Sequence, residues 1–272
     1  MAGPPLVDAT GAALALPEAP RRIVSLIPSI TEILFALGRG DAVAGCTIFC
    51  TEPPDGVAGK VRVGGEKDPK LDVIRQLGAD LVIANVEENV REHVETLRSW
   101  GIPVYVTYPR TVAEGTRLIA ELGALVGAGD RGRAMADDLG ARLDAARARG
   151  VRRRVFCPIW RRPYMTVNGD TYVSDMLAVC GGDNVFAGRS TRYPEVGLDE
   201  VAAARPEVIL LPDEPYRFRL PHLADFSPYR DVPAVRDGRI HLVDGKLLSW
   251  YGPRIGRALD VLPPLIAGPA RT

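Results

Sequence analysis

Histidine is scarce in this 272-residue chain, which holds only His93, His222 and His241, at unrelated places. A zinc or cobalt site wants three or four thiolate or imidazole ligands, so a metal centre built on histidine is not indicated. Cysteine is nearly as sparse. Cys46, Cys50, Cys157 and Cys180 form no C-x-x-C pair and no zinc-ribbon spacing, which excludes a disulfide framework. Net charge is absent, since 34 Lys and Arg balance 34 Asp and Glu, and with it goes the basic footprint of a nucleic-acid binder. The triplet Arg152-Arg153-Arg154 reads as a solvated strand entry. No apolar run is long enough to span a bilayer: the stretch from Ile23 to Gly38 is broken by Ser25, Pro28, Ser29, Thr31 and Glu32. Catalytic signatures are missing as well. There is no G-x-S-x-G elbow, Walker loop or H-E-x-x-H, and no carboxylate pair is anchored to a His base. Gly127-x-Gly129-x-x-Gly132 spells the dinucleotide pattern but follows a helix rather than a strand, so it lacks the phosphate-cradling context. The opening Met-Ala-Gly-Pro-Pro has no basic stretch leading into an apolar one. The expectation is a mature or trimmed exported protein, or a cytoplasmic one.

What is present is an ordinary globular balance, 46% hydrophobic and 25% charged, with enough apolar residues for a substantial core. The length leaves two domains or one large α/β unit open. Leu6 to Leu16 reads as a small hairpin. Ile23–Ile27 and Ala42–Ile48 read as strands around a helix carrying Ile30, Ile33, Leu34 and Leu37. A turn-rich loop covers Thr51–Pro69. Helices follow at 71–77, 90–100 and 112–126, with strands at 81–84 and 104–106. A long helix from about Gly132 to Arg149 carries the apolar stripe Met135, Leu139, Leu143 and Ala146. The pattern then restarts, with strands at 154–159, 208–211 and 240–243 and helices at 172–180, 198–204 and 255–262.

Three segments recur in order at an offset of about 130 residues, the length of one compact domain. Arg21-Arg22-Ile23-Val24 matches Arg153-Arg154-Val155-Phe156. Leu71-Asp72-Val73-Ile74 with Asp80-Leu81-Val82-Ile83 matches Leu198-Asp199-Glu200-Val201 with Glu207-Val208-Ile209-Leu210. Gly101-Ile102-Pro103-Val104 matches Gly238-Arg239-Ile240-His241. A duplication implies two similar three-layer α/β lobes with mostly parallel sheets, bridged by one long helix. The expected division is 1–128 for the first lobe, 129–150 for the connecting helix and 151–272 for the second lobe.

Ligands of such sheets bind beyond the carboxyl ends of the strands, so loops of both lobes would line one cleft. Aromatic residues are only 6% of the chain, yet they collect in these loops. Phe49, Cys50, Glu66 and Glu87 fall in the first lobe. Trp160, Tyr164, Tyr216, Arg217, Trp250, Tyr251 and Arg254 fall in the second half. Aromatic faces stack on a flat chelate, and Arg pairs with carboxylate or phosphate. The competing reading of any one of these aromatics is packing beneath its loop. Cys50 reads as an exposed-loop thiol that could ligate a metal directly, with Glu52, Glu66 or Glu87, or serve as axial ligand to a chelated one.

The opening Asp8-x-x-Gly11, with Pro20-Arg21-Arg22-Ile23-Val24-Ser25-Leu26-x-Pro28-Ser29-x-Thr31-Glu32, resembles the start of periplasmic binding proteins for iron-siderophore and vitamin B12 uptake. So do Leu71-x-x-Ile74-x-x-Leu77-x-x-Asp80-Leu81-Val82-Ile83, Met176-Leu177-x-x-Cys180-Gly181-Gly182-x-Asn184-Val185-Phe186, Tyr193-Pro194-Glu195-Val196 and Gly252-Pro253-Arg254. The resemblance spans nearly the whole chain. It implies a non-catalytic, monomeric substrate-binding component of an ABC importer. It also implies a metal chelate as cargo: a corrinoid, haem or ferric siderophore, with cobalt or iron in the ligand and no cofactor of the protein's own. The address it implies is extracytoplasmic. Asp72 and Asp199, each at the start of an equivalent helix, match the acids that meet arginines of the permease dimer; an acid in a first helical turn also favours the helix dipole. The loops that carry tryptophans in the vitamin B12 binders hold Phe49, Glu66 and Leu247 here. The family disulfide from the Cys180 position finds no cysteine in the last helix. The competing functions are a cytoplasmic corrinoid or metal-complex receptor or chaperone of the same fold, and, from another class, a metal-dependent enzyme.

Overall fold

The structure, a computed structural model, describes residues 6–268 apart from 15, 17, 149 and 151. The expected helix end at Arg149 and the expected start of the second lobe at residue 151 lie outside the described residues.

The chain forms two compact units. The first takes the chain up to Pro109, with Glu114–Asp138 and Tyr251–Pro253. The second takes Arg110–Ala113, Leu139–Trp250 and the chain from Arg254 on.

The first unit opens with the expected hairpin, β1 (Leu6–Val7) and β2 (Ala13–Leu14). There follow β3 (Ile23–Ser25), α1 (Pro28–Ala36), β4 (Val43–Cys46), α2 (Pro54–Val57), β5 (Val61–Arg62), α3 (Leu71–Gln76), β6 (Leu81–Asn85), α4 (Arg91–Ser99), β7 (Val104–Thr107) and α5 (Val112–Leu125). The sheet order is β5-β4-β3-β6-β7, parallel throughout. Every residue of β6 and β7 is buried, as the continuous apolar run of a strand covered on both faces requires. One face carries Val24, Val82, Ala84, Val104 and Val106, packed with Ile74, Val94 and Leu97 of α3 and α4. The turn-rich segment 51–69 is not all loop, as the sequence reading had it. It contains α2 and the two-residue β5, too short to leave a periodic signal.

From the first unit into the second the chain runs along α6 (Gly129–Arg147), 19 residues and ~28 Å at 1.5 Å per residue. It starts three residues earlier than expected. The Gly127-x-Gly129-x-x-Gly132 pattern is explained by packing. A Cβ on Gly132 would lie 2.9 Å from the Ile119 carbonyl oxygen and 3.0 Å from Gly123 Cα, so α5 and α6 meet backbone to backbone.

The second unit holds β8 (Arg153–Phe156), α7 (Tyr172–Val179), β9 (Gly182–Asn184), α8 (Leu198–Ala203), β10 (Val208–Pro212), α9 (Pro233–Arg236), β11 (Ile240–Val243), α10 (Lys246–Ser249) and α11 (Arg254–Ala267). Its parallel sheet runs β11-β10-β8-β9. That is the order β7-β6-β3-β4 of the first unit, so the two sheets repeat one topology and the sequence repeat is a repeat of structure. α11 continues past Leu262 through Pro263 and Pro264, where the sequence reading ended it. The buried face of Ile255, Leu259, Leu262 and Ile266 offsets the two lost N–H donors, and Gly268 at φ +75° stops the helix. The arginine triplet is a solvated strand entry as expected: Arg152 and Arg154 are exposed, and Arg153 pairs with Glu207 at 3.1 Å.

Candidate functional site

In each sheet the chain leaves the first strand on one side and returns on the other, which opens a crevice at the carboxyl ends of β3 and β6, and of β8 and β10. These two places differ.

In the first unit the crevice is filled by the protein itself. Tyr251 is buried there, and its hydroxyl accepts Asn85 Nδ2–H at 3.0 Å. Burial pushes the Tyr251 hydroxyl pKa up; hydrogen bonds with Ser29 and Thr107 oppose that shift. Asn85 Oδ1 in turn accepts the amides of Glu87 (2.8 Å) and Glu88 (3.3 Å), and Asn89 Nδ2 donates to the Glu66 carbonyl at 2.9 Å. Lys67 donates to the Glu87 carbonyl. Glu66 and Glu87, half-buried, are therefore on two loops tied to each other. Phe49 joins this rim, because a Cβ on Gly65 would lie 3.4 Å from its ring. Around them stand apolar side chains open to solvent: Phe49 (53%), Ile48 (55%) and Val86 (44%).

Cys50 does not belong to this rim. The expectation of an exposed-loop thiol is corrected. Phe49 and Thr51 on either side are exposed, but Cys50 is fully buried, its sulfur 3.1 Å from Thr31 Oγ1 and 3.2 Å from Thr47 Oγ1. The turn closed by Cys50 N–H on the Thr47 carbonyl, 3.2 Å, points the thiol inward. Among the described residues, no group of three or more His, Cys, Asp and Glu side chains is placed to hold a metal ion.

In the second unit an aromatic cluster lies over the crevice. Trp160, 45% exposed, follows β8 and meets Tyr216, which follows β10, edge-on at 5.6 Å between ring centroids. Tyr216 packs on Phe218 at 4.8 Å, and Tyr164 stacks on Phe218 at 6.2 Å. Asp225 pins this cluster from below. It accepts Arg161 Nε–H at 2.6 Å and Nη2–H at 2.9 Å, and Tyr164 O–H at 2.6 Å. The Arg161 guanidinium holds the Asp225 carboxyl below the usual carboxylate range. Tyr164 is thus committed through its hydroxyl to the scaffold, while Trp160 and the exposed Arg217 face outward. Arg217 also lines a shallow pocket of about 490 Å³ with Asp213, Arg219, Leu220 and Leu242.

Trp250 and Tyr251 are not open aromatic faces. Trp250 is 5% exposed, donates Nε1–H to Glu214 Oε1 at 2.5 Å, and has Lys246 and Arg254 each 5.1 Å from its ring. Burial raises the Glu214 carboxyl pKa, and the indole N–H pulls it back. Arg254, its side chain 11% exposed, spends its charge on that ring and on Asp244. Asp72 and Asp199 sit exposed in the first turns of α3 and α8; Asp199 accepts the Tyr229 hydroxyl at 2.8 Å. The sequence reading missed Ile48 and Val86 as exposed rim residues, and Asp225 as the anchor of the aromatic cluster. Apolar side chains one or two positions beyond a strand end were the available signal for Ile48 and Val86.

Residues 23–247 match the family described as periplasmic binding protein. The chain is 31% identical over 247 residues to the vitamin B12-binding protein of Vibrio parahaemolyticus, covering 89% of this chain and 88% of that one. Among solved structures it resembles the periplasmic vitamin B12 binding protein of Vibrio cholerae, with a TM-score of 0.81, 25% identity, and coverage of 91% of this chain and 97% of that one. It also resembles a periplasmic heme-binding protein from Roseiflexus sp. RS-1, with a TM-score of 0.78, 27% identity, and coverage of 91% and 98%. The chain belongs to the periplasmic binding protein family.

Proposed function

We propose that this chain is the substrate-binding component of an ABC importer, working outside the cytoplasm as a monomer, and that its cargo is a metal chelate: a corrinoid, haem or ferric siderophore. One observation carries the reading. Large apolar side chains left open to solvent gather at the carboxyl ends of parallel strands in both units: Ile48, Phe49 and Val86 in one, Trp160 in the other. Exposed apolar patches of this kind mark binding surfaces, and the carboxyl ends are where such sheets take ligands. Phe49 in the first unit and Trp160 in the second each offer an open ring on which a flat chelate can stack, and Arg217 offers a guanidinium that pairs with carboxylates or phosphates. The metal would arrive already chelated, as cobalt or iron. The relatives that bind vitamin B12 and heme support this cargo class.

Titration with cobalamin, cobinamide, haem and a ferric siderophore, followed by tryptophan fluorescence, tests the reading. At least one should bind below about 10 μM, roughly −7 kcal/mol; no binding across the panel would refute it. Asp72 and Asp199 are proposed to meet the permease dimer. Their joint replacement by Arg should leave chelate affinity unchanged and abolish stimulation of the transporter's ATPase. Unchanged stimulation would remove them from the docking surface.

A further inference from the structure

We propose that Cys46 and Cys50 form a reversible thiol–disulfide site, oxidised by a small hydroperoxide, that locks the turn presenting Ile48 and Phe49. The two cysteines end β4 and close the turn after it. Their side chains share a small apolar cluster with Val57 and Phe35, and Arg62 Nη1 touches both ends of the turn, Cys46 Sγ and the Cys50 carbonyl oxygen. Bond formation would close the two sulfurs to ~2.05 Å across a loop of three intervening residues.

The neighbours give the two sulfurs different parts. Arg62 Nη1–H reaches Cys46 Sγ at 3.2 Å and also binds the carbonyls of Thr47 (2.9 Å) and Cys50 (2.8 Å), so a guanidinium braces the turn and polarises the Cys46 thiol toward Cys50. Cys50 Sγ has the hydroxyls of Thr31 and Thr47 within 3.1 and 3.2 Å. Hydrogen bonding from Cys46, and then from Thr31 and Thr47, holds the Cys50 thiol below its ordinary range against the opposing effect of burial. Thiolate character governs thiol reactivity, so Cys50 is the nucleophile and Cys46 the resolving thiol. Both are buried, which favours an oxidant of peroxide size over a bulky disulfide.

The Cys50 sulfur attacks the peroxide O–O bond; an S–O bond forms, the O–O bond breaks, and the leaving oxygen departs with the thiol proton as water. The Cys46 sulfur then attacks the Cys50 sulfenic acid; the S–S bond forms, the S–O bond breaks, and the hydroxyl leaves as water with the Cys46 proton. Two thiols lose two electrons and hydrogen peroxide gains them. Elsewhere, burial alone raises the Cys157 thiol, and Cys180 Sγ lies 3.8 Å from Met176 Sδ and 4.0 Å from the Ala258 carbonyl oxygen.

The test treats the full chain with equimolar hydrogen peroxide, alkylates it under denaturing conditions and maps the four cysteines by mass. The expected result is loss of two alkylatable thiols, with Cys46 and Cys50 joined in one peptide that is lighter by two hydrogens and restored by dithiothreitol, while Cys157 and Cys180 are fully alkylated. Alkylation of all four, earlier oxidation of Cys157 or Cys180, or Cys50 sulfinic acid without a crosslink would overturn the proposal. Cys46→Ser adds a second reading: Cys50 should then accumulate sulfenic acid, trapped by dimedone, whereas the unaltered chain gives no adduct. A dimedone adduct of equal yield in both would show that Cys46 does not resolve Cys50.

Discussion

Replacing Asp8 by Ala should destabilise the protein by about 3 kcal/mol, and the reason lies in the number of donors converging on one carboxylate. Oδ1 accepts the Thr10 amide (2.8 Å), the Thr10 hydroxyl (2.6 Å) and the Ala12 amide (3.0 Å), which closes the hairpin turn. Oδ2 accepts Arg98 Nη2–H at 2.6 Å and the Val106 amide at 3.1 Å, which ties that hairpin to the edge strand β7. The residue is 6% exposed. Breaking a buried charged pair costs roughly 3–5 kcal/mol. The Arg98 side chain remains 31% exposed and regains water, so the lower end applies. Urea unfolding gives the global change, and exchange of the Ala9 amide, bonded to the Val106 carbonyl at 2.9 Å, gives the local one. A change below about 0.5 kcal/mol, the usual range for a surface substitution, together with unaltered Ala9 exchange would refute the reasoning. The pH dependence has a defined sign. Burial raises the Asp8 carboxyl pKa, but the hydrogen bonds from Thr10, Val106 and Ala12 outweigh it and leave it below the ordinary 3.8. Its contribution is therefore present above pH 3.8 and lost as pH falls through the native value. Asp8→Ala should lose that segment of the acid limb.

Gly252→Ala should cost about 2–5 kcal/mol, from ~1–2 for a left-handed backbone and ~1–3 for overpacking. The residue has φ +105° and its Cβ would lie 2.5 Å from Ile33 Cγ1; an unchanged urea midpoint would contradict this. Trp250→Phe removes the N–H that opposes burial at Glu214, so the Glu214 carboxyl pKa should rise further above its ordinary 4.5. A raised acid loses its stabilising contribution as pH rises through the native value, so the variant should weaken over a window shifted to higher pH. Carboxyl-carbon NMR titration of Glu214 would read the shift, and a fall would refute the assignment.

The fold was legible because parallel strands buried on both faces leave unbroken apolar runs, such as Leu81–Ala84 and Val208–Leu211, and because the duplication writes the pattern twice. Short elements such as β5 and β9 left no trace, since two or three residues carry no period and their pairing is decided by the neighbouring strand. The candidate site was legible as a set of loops beyond strand ends, while the burial of its side chains was legible only in part. Trp160 and Phe49 are exposed as expected, whereas Trp250, Tyr251 and Cys50 sit in equally loop-like sequence and turn inward. Their orientation is set by tertiary partners: Glu214 for the indole, Asn85 for the phenol, Thr31 and Thr47 for the thiol. None of these partners is adjacent in a way that periodicity reveals.

Exposed aromatic side chains beyond the strand ends are proposed to stack on a flat chelate. Calorimetric titration of the tightest chelate against the unaltered chain, Phe49→Ala and Trp160→Ala tests this directly. Each substitution removes one stacking ring and should weaken binding by about 1.5–3 kcal/mol, a factor of roughly 10 to 150, with unfolding midpoints unchanged because both rings are about half exposed. Equal affinity for all three proteins would contradict it.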